Sequence, residues 1–272
     1  GETPISMQTS TIQVLDSIDF NKLQTIRSYT DQSIIVDEIL GSSEELIEIS
    51  GFSDVLLSNS DITITNAIDH ADAVLIDSFN NLEGTLTLNS VEDNYSNIVL
   101  LNSIDTISID DSEILVTDSI GLNEANVLNT FSVNTISLSD ITETLENIKK
   151  LEELKPQTNS NNGIDISKSE ILVTNNLDSS QINEISNFTT KDISISKITD
   201  NHLNISDSND ISNIDLTESE IIIQDTVGFS LVSEISGFTQ NTVFVNNIED
   251  IFANISGINN ITNTDITSST IK

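Results

Sequence analysis

The chain has 272 residues, with 44 Asp or Glu against 9 Lys or Arg, a formal net charge of -35, 36% hydrophobic residues and no cysteine. Such a surplus of negative charge argues against nucleic acid and anionic lipid as partners, because both are anionic themselves. The missing cysteine excludes disulfides, zinc fingers, thiol catalysis and thiol redox switching.

A unit of about fifty residues recurs five times, marked by Ser10, Ser60, Ser112, Ser169 and Ser219. Nineteen residues after each serine stands an aromatic: Tyr29, Phe79, Phe131, Phe188 and Phe238. A fixed period of this length predicts a repeat architecture, in which each unit buries its apolar face by stacking on its neighbours. The expected fold is a repeat β-solenoid of parallel ladders with short interspersed helices, running as one array over residues 1–272.

Within the unit, strand A is read from β-branched alternation: Ile12/Val14, Ile62/Ile64, Ile114/Val116, Ile171/Val173 and Ile221/Ile223. Leu115, Leu172 and Ile222 lie between these pairs and suggest a strand covered on both sides. Apolar residues then recur at steps of three, as in Val227, Val232, Ile235 and Phe238, which suits a short helix with one inward face. Thr117-Asp118-Ser119 is read as a capping segment for it, and the aromatic as a wedge between helix and sheet. Strand B follows at Ile34/Val36, Leu86/Leu88, Ile136/Leu138, Ile193/Ile195 and Val243/Val245. A second helix is read from Ile141, Leu145 and Ile148, and again from Ile248, Ile251 and Ile255. Strand C closes the unit at Ile5/Met7, Val55/Leu57, Ile107/Ile109, Ile164/Ile166 and Ile214/Leu216. Equivalent strands are expected side by side, about 4.8 Å apart. Spacing alone leaves open whether a unit forms one wide coil or two narrower ones.

The third unit is longer, and its surplus, residues 149–162 (KKLEELKPQTNSNN), reads as a looped-out insertion. Residues 264–272 stop in phase with the next unit, and neither end carries an atypical polar cap. That pattern suits a piece of a longer array, or protomers stacking end to end. The opening residues GETPISMQTS have neither a basic nor an apolar run, so no signal peptide and no membrane insertion is read.

Chemistry-bearing signals are sparse. His70 and His202 lie in different phases of the repeat, and the nine glycines form no phosphate-binding loop. Stacked acids are the stronger signal. Asp61, Glu113, Glu170 and Glu220 follow the landmark serine, and Asp165, Asp215 and Asp265 form a second column. Corners such as Asp110-Asp111-Ser112 add oxygen atoms. Ca²⁺ bridging these carboxylates, diffuse cation condensation and plain solvated charge are the three readings.

The stretches TISIDDSEILVTDSIGLNEANVLNTF (106–131) and TISLSDITETLENI (135–148) resemble tandem units of very large secreted bacterial and cyanobacterial surface proteins, often found beside RTX-type segments. The resemblance implies export and a place outside the cell or on its surface, as layer, stalk, adhesin or fibre. It implies no catalytic residue. The expected function is a non-enzymatic structural part of an extracellular assembly, with partners being copies of itself or the rest of a longer repeat chain. The alternative is a calcium-dependent adhesin module; a polysaccharide-active enzyme stands third, because basic residues are scarce.

Overall fold

β-branched pairs and i,i+3 apolar pairs alternate along the chain, and strands and helices alternate with them. The computed structural model describes residues 7–80, 84–156, 162–258 and 260–272. These hold seventeen strands and ten α-helices; fourteen of the strands form a large, mostly parallel sheet that does not close on itself, and Ile12–Val14, Ile34–Val36 and Val55–Leu56 form a separate three-stranded one.

The backbone gathers into two compact bodies. The first comprises Gly1–Asp118, Asn126–Ser137 and Pro156–Gly163. Its elements are β1 (Ile12–Val14), α1 (Phe20–Arg27), β2 (Ile34–Val36), β3 (Glu38–Gly41), α2 (Ser43–Ser50), β4 (Val55–Leu56) and β5 (Asp61–Ile68). There follow α3 (His70–Asp77), β6 (Leu86–Asp93), α4 (Tyr95–Asn102) and β7 (Ile107–Ser108). β8 (Glu113–Ile120), α5 (Leu122–Leu128) and β9 (Thr135–Glu143) carry residues of both bodies. The second body continues with α6 (Leu145–Glu153), β10 (Gly163–Asp165, of which Gly163 belongs to the first body), β11 (Glu170–Leu177), α7 (Ser179–Ile185), β12 (Ile193–Asp200) and α8 (His202–Asn209). It ends with β13 (Ile214–Asp215), β14 (Glu220–Val227), α9 (Phe229–Ser236), β15 (Val243–Ile248), α10 (Phe252–Ile258), β16 (Thr264–Asp265) and β17 (Thr270–Ile271).

Register shows how the fifty-residue unit is used. In the first body one row runs Ile18, Ile39, Ile62, Leu86, Ile107, each residue in parallel register with the next. In the second body the matching row is Leu177, Ile198, Ile221, Val243, Thr264. Neighbours in these rows lie only 21 to 24 residues apart in sequence. The repeat is therefore two half-units, each a strand passage followed by a helix. Strand A of one unit does not pair with strand A of the next, as the sequence suggested; a strand B lies between them. The rows also run obliquely. Each starts just before a helix, passes through B and A strands, and ends in a two-residue strand C.

All members of the first row are buried, and each contributes roughly 1.5–3 kcal/mol by leaving water. The helices have seven to nine residues, too few to be stable alone in water. They hold because i,i+3 pairs face the sheet: Leu46 and Ile49, Ile98 and Leu101, Ile182 and Ile185, Val232 and Ile235 are all buried.

The landmark serines owe their period to a buried hydrogen bond. The hydroxyls of Ser60, Ser112, Ser169, Ser219 and Ser269 donate to the carbonyls of Val36, Leu88, Leu138, Ile195 and Val245, at the bend of the preceding strand B. The carbonyls of Ser10, Ser112, Ser169 and Ser219 accept in turn from the hydroxyls of Thr30, Ser132, Thr189 and Thr239, at 2.6–2.7 Å. A polar relay thus crosses three half-units inside an aliphatic core.

Several expectations change. Tyr29 is 49% exposed and Phe79, Phe131, Phe188 and Phe238 are half-buried, so the aromatics are not interior wedges. The buried position is one residue later, where the relay hydroxyl sits. Thr117-Asp118-Ser119 lies within β8, because its apolar neighbours alternate with a period of two. Ile141 and Ile248 end strands instead of starting helices, and Ile251 is exposed. Leu172 is exposed and Leu115 and Ile222 are half-buried, so strand A is covered on one side. Ile5 of the first strand C lies outside the described residues, and Met7 is not in a strand. The insertion begins as the last turn of α6; its residues 157–161 lie outside the described residues.

Replacing Ser112 or Ser219 by Ala strands a buried carbonyl and should cost about 1–3 kcal/mol in urea unfolding. Ile185→Ala should cost about 2–5 kcal/mol, more than Phe188→Ala. The reverse order would return the packing role to the aromatics.

Candidate functional site

The two predicted acid columns do different local work. Asp165, Asp215 and Asp265 each accept, through Oδ1, the backbone N–H two residues on, at Ser167, Thr217 and Thr267, 2.8–2.9 Å away. They shape the corner between strands C and A, as Asx turns do. Asp110 and Asp111 stand at the equivalent corner, where their backbone carbonyls accept from Val133 N–H and Asn134 Nδ2.

The other column stays outward. Asp61 accepts from Thr85 N–H at 2.9 Å, and Glu220 is ion-paired with Lys197. Glu113 stands in register with Ser90, and Glu170 with Asp140. Because half-units alternate, Asp61 and Glu113 in the first body, and Glu170 and Glu220 in the second, are two rungs apart, about 10 Å. A calcium ion needs six to eight oxygens at about 2.3–2.6 Å, which this spacing does not gather. Among the described residues no group of three or more His, Cys, Asp or Glu is placed to hold a metal ion. A depression on the second body's sheet is lined by Asp140, Glu170 and Asp192 with Leu172, and one on the first body by Glu44, Asp69, Asp72, Glu92 and Asp93.

A third acid column escaped the sequence reading. For every helix from α2 to α9, the first backbone N–H donates to a side chain on the following half-unit. Ser43, His70 and Tyr95 donate to Asn66, Asp93 and Asp118 in the first body, at 2.7–2.8 Å. Leu122, Leu145, Ser179, His202 and Phe229 donate to Glu143, Asn175, Asp200, Asp225 and Asp250 in the second, at 2.8–3.2 Å. Most of these helices also carry their own cap, such as Asp69, Asn94 or Asp178, bonding the third N–H. The starts of α2, α3, α4, α6, α7 and α8 are thus satisfied from two half-units, and where the acceptor is a carboxylate its charge is matched to the positive end of the helix dipole. The signal was present six residues after each landmark, where Asp16, Asn66, Asp118, Asn175 and Asp225 stand.

In alternate half-units the carboxylate is held more fully. Asp200 accepts from Ser179 N–H, Asn201 N–H and Asn204 Nδ2 at 2.8–3.0 Å. Burial works against its charge, but these bonds outweigh it, and its pKa lies below the ordinary carboxylate range. Glu143 is depressed likewise, against burial, by Asn147, Thr144 and Leu122. Asp250 is depressed by Phe229 N–H, then Asn254 and Ile251 N–H.

The histidines serve the same starts. His70 begins α3, and His202 Nδ1 lies 2.5 Å from Asp225 Oδ2. No described helix is long and apolar enough to cross a membrane. Comparisons with protein-family models, curated proteins and solved structures find no match to this chain.

Lowered folded-state pKa values give a sign. The stability from Asp200, Glu143 and Asp250 is fully present above the unfolded carboxylate range, near pH 4. It is lost as pH falls through the lower folded values. Protonating the excess acids also relieves repulsion, so the difference between proteins is the measurement. Urea midpoints between pH 5 and pH 2 should fall less steeply for Asp200→Asn/Asp250→Asn than for the unaltered chain. Parallel curves would remove the capping carboxylates from the acid response.

Proposed function

We propose that the chain is a β-solenoid with short helices, serving as a non-enzymatic structural element of an extracellular bacterial assembly. One pattern carries this reading: within each body neighbouring half-units pair through parallel rungs, alternate junctions add a buried serine hydroxyl, and the helices from α2 to α9 draw an acceptor from the following half-unit. An arrangement in which each segment completes its predecessor extends by adding segments. Its partners are then further copies of the chain, or the rest of a longer repeat chain, stacked in the same register. The surplus negative charge suits a surface that must stay soluble and resist sticking to nucleic acid or anionic lipid.

Electron microscopy of the purified chain is the test. Narrow rods whose length grows in proportion when half-units are duplicated support the solenoid, and fibres support self-stacking. Globular particles whose diameter is set by volume would sink it.

The second reading, a calcium-dependent adhesin module, draws on the Asp140–Glu170 rung and the neighbouring Asp192. It predicts a loss of many degrees in melting temperature with chelator, restored by Ca²⁺ but not by equal ionic strength of Na⁺. The structural reading predicts a shift of a few degrees at most, matched by Na⁺ through screening.

A further inference from the structure

The repeat provides its own comparison for each surface position. At the sixth residue of the helices, the outward position carries Glu48, Lys150, Glu184, Asp207 and Glu234 in α2, α6, α7, α8 and α9. In three consecutive helices, α3, α4 and α5, it carries Leu75, Leu100 and Val127, exposed by 45%, 51% and 42%. Val74 beside Leu75 is 38% exposed and Val99 beside Leu100 is half-buried. The side chains facing the sheet from these helices are a separate, fully buried set that includes Ile76 and Leu101. Core packing therefore does not account for the outward apolar residues. Scattered apolar side chains are ordinary on a surface, but a run at one repeat position, where five other helices are charged and α1 and α10 carry Thr25 and Gly257, marks a contact face.

The charge around this stripe restricts what covers it. From Ser28 to Ile148 the sequence contains no lysine and no arginine, while acids continue throughout, including Asp72 and Glu124 on these same helices. An occupant must bring apolar side chains for the stripe and positive charge for its margins. A second copy of this chain, at net charge -35, meets the first requirement and fails the second. An anionic lipid surface fails it too. We propose that the helical face of the first body, centred on Leu75, Leu100 and Val127, docks an amphipathic, lysine- or arginine-rich segment of a partner polypeptide. The apolar stripe would hold the segment's apolar side, as helix-in-groove recognition does. The acids would steer the approach and make it salt-dependent.

The test uses the full chain and a synthetic peptide of Leu and Lys at helical spacing, beside a scrambled peptide of the same composition. Binding is read by fluorescence anisotropy, with fold checked by circular dichroism and thermal melting. The patterned peptide should bind at least about tenfold tighter than the scrambled one. Leu75→Ser/Leu100→Ser/Val127→Thr should weaken it by about tenfold or more, since a few apolar anchors carry most of such an interface. The control Asp207→Ser should leave it within about twofold, a lost rim charge being a small loss. Should the triple variant fail to fold, Leu100→Ser alone should still cost about threefold. Equal binding of both peptides, or no loss in the variants, would leave only diffuse charge attraction and overturn the proposal. So would a dimer seen by sedimentation that the variants abolish, or variant-sensitive flotation with zwitterionic vesicles, which would assign the face to a second copy or to lipid.

Discussion

A helix of two turns leaves most of its first N–H groups without an intrahelical partner, and the described residues hold ten such helices. The recurring solution is a carboxylate or carboxamide supplied by the following half-unit to the first N–H. Much of the molecule depends on it. It fixes how far one half-unit advances over the last, because the acceptor must reach the helix start while the rungs keep register. It also ties each helix to a strand that forms only when the next segment folds. Stability then resides in the junctions between segments more than within them, as expected for a one-dimensional array.

The same junction is closed on its inner side by the serine relay, and at the helix ends by contacts that vary in chemistry but not in place. Arg27 makes twin 2.8 Å bonds to Asp54 while lying 3.7 Å above the Phe52 ring. At the corresponding junctions of the second body Asn213 and Asn263 donate to paired backbone carbonyls, Ser186 and Thr189, then Ser236 and Thr239. One geometry thus tolerates a charged and a neutral solution. The oblique rows have a further consequence. Each ends in a two-residue strand C such as β7 or β13, so the margins of the sheet are brief edges that make poor templates for stray pairing.

Strands were legible because β-branched alternation is a local property: the A and B pairs lie where the sequence put them, while the described strands C are shorter and leave out Leu57, Ile109, Ile166 and Leu216. Pairing was less legible. A fifty-residue period built from two half-units of different composition looks like one unit when only identical residues are aligned. The near-equal spacing of A to B and B to C was the clue that the stacking period is shorter. The aromatics misled because regular recurrence was equated with burial. Phe131 and Phe188 recur because the helix ends there, while burial belongs to Ser132 and Thr189, whose small size admits the next carbonyl. The helix-start acceptors were missed because their partners lie on another half-unit, and local capping rules look only along one helix.

These assignments alter what the acidity means. Asp93, Asp118, Glu143, Asp200, Asp225 and Asp250 are committed to helix starts, and Asp165, Asp215 and Asp265 to corners. What remains outward within each body, such as Asp61 and Glu113 or Glu170 and Glu220, is spaced by the two-rung period and is better suited to a diffuse field than to a coordination cage. Such a field acts over roughly a Debye length, about 8–10 Å at physiological salt, which spans two rungs. The outward acids are therefore felt together by anything approaching, while the committed ones are partly neutralised by the N–H groups they hold. Discrimination on this surface must then come from where apolar side chains interrupt the field. In the helices of the first body that interruption is ordered by the repeat itself: the outward position changes from charged to aliphatic for three helices and then changes back.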